Sequence, residues 1–206
     1  MSRANRLAAA LVALVAASAL DVTVAAADEP PRQDDAAAEE SDDGIDIGGY
    51  GGLGLRYARL LDRNSVLLCL ELALLFEQRL SIGTGACSTW MSADGATDAS
   101  EADGIMLEFG GTIVRYHLFP TDPISLSFGT AVGVGQIDLE RDGEVWRTDS
   151  IIVVEPEVGA HTMVTDWMRL SAVGAYRIVS GVDTGGVTSG DVSGFSTGIN
   201  AHFGWF

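Results

Sequence analysis

From residue 47 onward the chain repeats one pattern, an apolar side chain at every second position, in stretches separated by turns. Residues 124–135 are the cleanest case: Ile124, Leu126, Phe128, Thr130, Val132 and Val134 alternate with Ser125, Ser127, Gly129, Ala131, Gly133 and Gly135. A period of two sends successive side chains to opposite faces of a strand. Each stretch therefore has one apolar face and one small or polar face. Helical periodicity is scarce here, although 47% of the chain is hydrophobic. That combination fits a closed antiparallel barrel with the apolar face outward and the polar face lining a lumen.

Reading for this period predicts eight strands, at residues 47–60, 65–76, 80–90, 104–118, 123–139, 149–162, 167–179 and 192–206. The fold class is all-β, an eight-stranded antiparallel up-and-down transmembrane barrel. Tight turns follow strands two, four and six, at Glu77-Gln78-Arg79, residues 119–122 and residues 163–166. Longer connections rich in Asp, Glu and Gly follow strands three, five and seven, at residues 91–103, 140–149 and 180–191. In outer-membrane barrels the short turns are periplasmic and the long loops external, which predicts that both termini are periplasmic. The connection at Asp62-Arg63-Asn64 is external yet short.

The start of the chain reads as an export signal. Arg3 and Arg6 precede an apolar run over residues 7–20, and Ala25-Ala26-Ala27 offers a small-residue cleavage site, giving a signal peptide at 1–27. Fourteen apolar residues fall short of the ~20 that a spanning helix needs. Residues 28–46 hold nine acids against Arg32 alone, with Pro30 and Pro31. Such a segment buries too little apolar surface to offset its ordering entropy, so a disordered acidic linker is expected, followed by one barrel domain at 47–206. The linker carries −9 + 1 = −8 of the chain's formal net charge of −17.

Parity sends a set of charges toward the lumen or its ends: Arg56, Glu71, Glu108, Arg115, Glu155, Glu157, Arg169 and Arg177. Glu155 and Glu157 lie ~7 Å apart on one face and demand basic partners, for which Arg169 and Arg177 on the next strand are the candidates. A satisfied ion-pair plug is expected over a selectivity site, because eight strands leave an interior just wide enough for side chains. Pro156 cannot donate to a ladder, which predicts a bulge or a missing hydrogen bond there. At Asp142-Gly143 a two-residue turn would flip the glutamates to the lipid face, so a three-residue loop with a bulge at Gly143 is expected.

Cys69 and Cys87 flank the turn at residue 78 symmetrically (78 − 69 = 9, 87 − 78 = 9), which places them opposite each other on the lumen face. An oxidising compartment permits either a cross-strand disulfide or two packed thiols. Phe76, Tyr116, Phe119, Trp167, Phe203 and Trp205 gather near one rim, and Tyr57, Trp90 and Phe195 near the other, as in a two-girdle barrel. Phe206 shares lumen parity with His202 and Gly204.

Signals of chemistry are few. Gly49-Tyr50-Gly51-Gly52-Leu53-Gly54 has the spacing of a dinucleotide-binding turn, but no helix follows it, so the glycines are small strand positions. His117, His161 and His202 fall on separate strands without metal-ligand spacing, and no metal is expected there. Asp183 and Asp191 are a weak Ca²⁺ candidate whose spacing departs from the EF-hand loop. No catalytic site assembles, no cofactor is expected, and no nucleic-acid partner is expected.

Four segments carry a resemblance: Gly48-Gly49-Tyr50-Gly51-Gly52, Val154-Glu155-Pro156-Glu157-Val158, Tyr176-Arg177-Ile178-Val179-Ser180-Gly181-Val182 and Asp191-Val192-Ser193-Gly194. As a set they resemble a group of bacterial outer-membrane proteins over residues 47–206. The resemblance implies an eight-stranded barrel broadly of the OmpA or OmpX type and no known reaction. The expected role is a small monomeric barrel with a plugged polar lumen and a structural or surface-interaction task. Its expected partners are outer-membrane lipid and the barrel-assembly machinery. The alternatives are an outer-membrane enzyme acting on lipid or peptide, or a narrow ion-conducting pore.

Overall fold

The structure is a computed structural model and describes residues 45–92, 104–141, 144–184 and 186–206. The expected signal peptide, all but the last two residues of the expected linker, most of the connection at residues 91–103 and the Asp142-Gly143 tip lie outside the described residues.

Strands β1 (Ile47–Leu60), β2 (Arg63–Phe76), β3 (Leu80–Ser92), β4 (Gly104–Leu118), β5 (Ser125–Arg141), β6 (Glu144–Thr165), β7 (Met168–Ser180) and β10 (Gly194–Trp205) form a closed barrel. All neighbours are antiparallel, and β10 closes on β1. A short pair, β8 (Asp183–Thr184) and β9 (Val187–Thr188), and a one-turn helix α1 (Ser189–Val192) lie between β7 and β10. The end of the barrel bearing Ile47 and Trp205 is called the terminal end below, and the opposite end the loop end.

The connections explain the register. Leu61 and Asp62 both take positive φ, 50° and 59°, and join Leu60 to its partner Arg63 in a two-residue turn of the hairpin-favoured hand. Glu77 and Gln78 repeat that conformation at 51° and 55°, and the Arg79 amide donates to the Phe76 carbonyl at 2.9 Å. With that turn fixed, Cys69 pairs with Cys87 in register, and their sulfurs are bonded at 2.10 Å.

Two register details matter for the interior. Arg141 pairs with Glu144 around the tip, but the register shifts between Leu139 and Glu140, and Leu139 faces Arg147. The one-residue correction thus sits within the described hairpin arms, and it returns Glu155 and Glu157 to the lumen face. At Pro156 the pairing of β6 with β7 lapses between Val154↔Ile178 and Glu157↔Ala175, although both pairs keep the same register. The proline costs a stretch of ladder without inserting a residue, as expected where an amide hydrogen is missing.

The outer face is apolar through most of its height, with Leu53, Leu55, Val132, Val134, Val158 and Ile199 exposed. Toward the loop end the pattern inverts. On β5, Gln136, Asp138 and Glu140 continue the outward row, while Ile137 and Leu139 turn inward and are buried. On β6, Thr148 and Ser150 point out, and Ile151 and Val153 point in. These inward residues join Ala58, Leu60, Leu67, Leu107 and Val179 in an apolar tier, capped by Val182, Val187 and Val192 from the β7–β10 connection.

That connection is a folded lid. The Leu61 amide donates to the Asp191 carbonyl at 3.0 Å, and the Val179 amide to Ser193 Oγ at 3.0 Å. Asp191 holds its own turn by accepting from the Thr188 amide and hydroxyl, both at 2.8 Å. The expectation of a plugged polar lumen is therefore corrected for the loop-end half, whose interior is mostly apolar under the lid, with Arg63 and Ser65 of β2 buried beside that tier.

Candidate functional site

Below the apolar tier the inward positions carry the charge. Arg56 on β1 spans the two glutamates of β6: Nη1 donates to Glu155 Oε2 and Nη2 to Glu157 Oε2, both at 3.0 Å. Arg115 on β4 donates through Nε to Glu157 Oε1, and through Nη1 and Nη2 to Glu71 Oε1 and Oε2 at 2.8 and 2.7 Å. The latter pair is the two-pronged geometry that a planar guanidinium and a carboxylate make best. Ser196 Oγ donates to Glu155 Oε1 at 3.2 Å, and Arg115 Nη1 also reaches the Tyr50 hydroxyl at 3.2 Å. Arg56, Arg115, Glu155 and Glu157 are all buried.

The expected partners of Glu155 and Glu157 are thus corrected in part, since Arg177 keeps an ion pair with Glu155 but Arg56 and Arg115 make the hydrogen bonds. Arg177 approaches Glu155 only to 4.0 Å, and Arg169 lies at the terminal end with Nε 3.4 Å from Met163 Sδ and its guanidinium over the Phe206 ring. The lumen is narrow, so an arginine reaches a carboxylate across it as readily as one on the adjacent strand. Glu108 is a second correction. It belongs to the even row of β4, whereas Arg115 belongs to the odd row, and no register shift separates them. Its carboxylate accepts from Ser88 Oγ at 3.0 Å on the outer face, outside the lumen network.

The floor at the terminal end brings together three histidines that the sequence places on separate strands near that end. His117, His161 and His202 come together, with ring centres 5.2 Å apart between the first two and 6.3 Å between the last two. Ser81 Oγ lies 3.2 Å from His117 Nε2, Ser127 Oγ lies 2.6 Å from His161 Nε2, and His202 Nε2 lies 2.8 Å from Glu71 Oε1. Lumen parity alone would have grouped these histidines. Room for the Glu71 and His202 side chains comes from Gly52, where a Cβ would stand 2.9 Å from Glu71 Cγ and 2.5 Å from His202 Cδ2. Phe206 stacks on Tyr50 at 5.7 Å and closes the floor from below.

Chemically, this arrangement stores charge and does not present it. A nucleophile needs a base that a third group orients. Here Nδ1 of both His117 and His161 lacks a hydrogen bond. No cluster of three or more His, Cys, Asp or Glu placed to hold a metal occurs among the described residues. Asp183 begins β8, and the Asp191 carboxylate is engaged by Thr188, so the two belong to the lid's own structure.

An eight-stranded antiparallel barrel with an apolar exterior and a charged interior is the architecture of the small bacterial outer-membrane barrels. Among solved structures, the chain is similar to Neisserial surface protein A, with a TM-score of 0.59, 13% identity, and 78% of this chain and 98% of that one covered. It is also similar to Ail, the attachment invasion locus protein of Yersinia pestis, at a TM-score of 0.49 and 13% identity over 77% of this chain and 97% of that one. No protein-family model and no curated protein sequence matches the chain.

Proposed function

We propose that this protein is an outer-membrane barrel whose interior is sealed and whose working surface is the sheet projecting at the loop end. The observation that carries the reading is the projection of the paired β5–β6 arms past the β6–β7 ladder, where the lid meets β6 at Asp149, whose carboxylate accepts from the Asp183 amide at 3.1 Å. The pairing of β6 with β7 begins only at Ile152↔Ser180, so residues 144–151 form a ladder with β5 alone among the described residues. They extend roughly 25 Å of strand beyond that point. An unpaired strand edge in water is a template for an extended segment of another protein. The outward row changes from valine to Gln136, Asp138 and Glu140 at the same height, with Asp138 covered by Thr148 and Gln136, which donate to its carboxylate, as a polar outer face should where lipid gives way to water.

Support for a sealed interior comes from both ends. The lid and the apolar tier close one, and His117, His161, Arg169, His202 and Phe206 close the other. On this reading the short turns and both termini face the periplasm, and the barrel works as a monomer embedded in lipid. Ser150→Cys and Asp166→Cys, labelled in intact cells with a membrane-impermeant maleimide, test the placement. Label on residue 150 and none on 166 is expected, and the reverse pattern rejects the orientation. Planar-bilayer recording tests the seal: the expected trace lacks a steady conductance step, and a reproducible step identifies a pore.

A further inference from the structure

The outer face of the barrel is uneven, and a depression in it follows one glycine. Gly174 lies on the outward side of β7, in a register row that runs Tyr57, Thr197, Gly174, Val158, Phe128 across β1, β10, β7, β6 and β5. A glycine inside a strand gives up conformational entropy and side-chain packing, so it needs a reason. Most of the described strand glycines have one, because an added Cβ would press on a neighbour. Only Gly174 and Gly194, the first residue of β10, leave that Cβ nothing nearer than 4.0 Å, and Gly174 has no positive φ to demand glycine. What the glycine at 174 preserves is space outside the barrel.

That space is a groove of about 1060 Å³. Gly174 and Thr197 lie in it, Phe128 borders it, and the Tyr176 and Phe195 rings border it edge to face with centres 4.8 Å apart. Pro156, where the β6–β7 ladder lapses, also lines it. A second depression of about 540 Å³ shares Phe128, Val158, Gly174 and Thr197 with the first and continues past Ala160 and Ala172 toward the terminal end, with no charged residue in its lining. The loop-end mouth of the first carries Arg59 and Asp62, an exposed pair at 3.2 Å. From Arg59 to the level of Ala172 is about 13 Å along the strands. Charge at one end and an apolar track below it match a lipid headgroup and its chains.

The mouth also selects among headgroups. An exposed ion pair is worth little, so trading the Arg59–Asp62 contact for contacts to a ligand costs little. A purely anionic headgroup would gain Arg59 but meet Asp62 beside it and Asp191 on the lid. A zwitterionic headgroup answers both signs. We propose that the groove holds one diacyl phospholipid with a phosphoethanolamine headgroup, its chains over Gly174 and Ala172, its phosphate on Arg59 and its ammonium on Asp62. The site rests on the reading of the barrel as embedded in lipid.

The test is to fold the full chain into vesicles of equal parts phosphatidylethanolamine and phosphatidylglycerol, wash with salt, extract into mild detergent and count retained lipid by native mass spectrometry. One phosphatidylethanolamine per chain is expected, favoured about fivefold over phosphatidylglycerol, the worth of one partly exposed ion pair. Gly174→Leu fills the groove from a position where its Cβ meets nothing close, and it should abolish retention while leaving the unfolding midpoint unchanged. If that variant fails to fold, Asp62→Asn decides: it should remove the preference for phosphatidylethanolamine, and an unchanged ratio overturns the assignment. Equal or greater retention of phosphatidylglycerol by the wild type, or retention undiminished in a folded Gly174→Leu, overturns the site. So does a chain that withstands the salt wash and emerges with no lipid. Release of folded chain by the salt wash alone rejects the embedding on which the site rests.

Discussion

In β5, Val132 and Val134 turn outward while Gly133 and Gly135 turn inward; a few residues on, Ile137 and Leu139 turn inward while Gln136, Asp138 and Glu140 take the outer row. The strand is continuous and its register with β4 does not change, so one backbone serves two opposite patterns. Toward the terminal end the barrel is apolar outside and ionic inside. At the loop end it is polar outside and mainly apolar inside, with Arg63 and Ser65 the buried polar exceptions on β2, like a water-soluble sheet packed against a lid. What differs is the solvent each half is built for. The two halves also hold themselves together by different physics, directional ion pairs below and apolar burial above, and that difference can be broken in either half separately.

The largest effect is expected in the ionic half. Arg115→Met leaves Glu71 and Glu157 buried without their main donor, and breaking such a network by removing one partner costs about 3–5 kcal/mol. The check is the urea midpoint for unfolding from detergent or vesicles. In the apolar half, Leu107 is fully buried, and Leu107→Ala should cost about 2–5 kcal/mol by transfer and cavity formation. Salt should separate the two. The Leu107 variant should keep the wild-type dependence on ionic strength, whereas the Arg115 variant should change it.

The Cys69–Cys87 bridge sits where the halves meet and closes a loop of 18 residues. Its removal in the double Ala variant should cost about 3 kcal/mol on the chain-entropy account. Alkylation should label both sulfurs only after reduction. The smallest effect is expected in the lid, where Val192→Ala removes two buried methyl groups and should cost about 1–2 kcal/mol. It should act locally, so proteolysis near residues 181–193 should speed up before the global midpoint moves.

Period-two alternation was enough to read the eight strands, the lumen parity of Arg56, Glu71, Arg115, Glu155 and Glu157, and the cross-strand position of Cys69 and Cys87. The partners of those charges were legible only in part, because a side chain spanning a narrow lumen ignores strand adjacency. Arg56 and Arg115 make the hydrogen bonds to Glu155 and Glu157, and of the expected Arg177 and Arg169 only Arg177 keeps an ion pair, with Glu155. Glu108 was misplaced by charge, since its even number already puts it opposite Arg115 on β4. The apolar tier escaped notice because alternation looks the same when the two faces exchange roles. Only the change from Val134 to Gln136 on one row marks that exchange.

That exchange is the central claim, and a pair of arginine substitutions on the same face of β5 tests it most directly. Val132 is 49% exposed within the apolar belt, and Gln136 is the next outward position beyond Val134. With folding measured into lipid vesicles, Val132→Arg should cost about 2–4 kcal/mol and Gln136→Arg about 0–1 kcal/mol, the depth dependence of a cation on a lipid-facing strand. Equal costs at the two positions, or a larger cost at 136, would contradict a change of solvent between them.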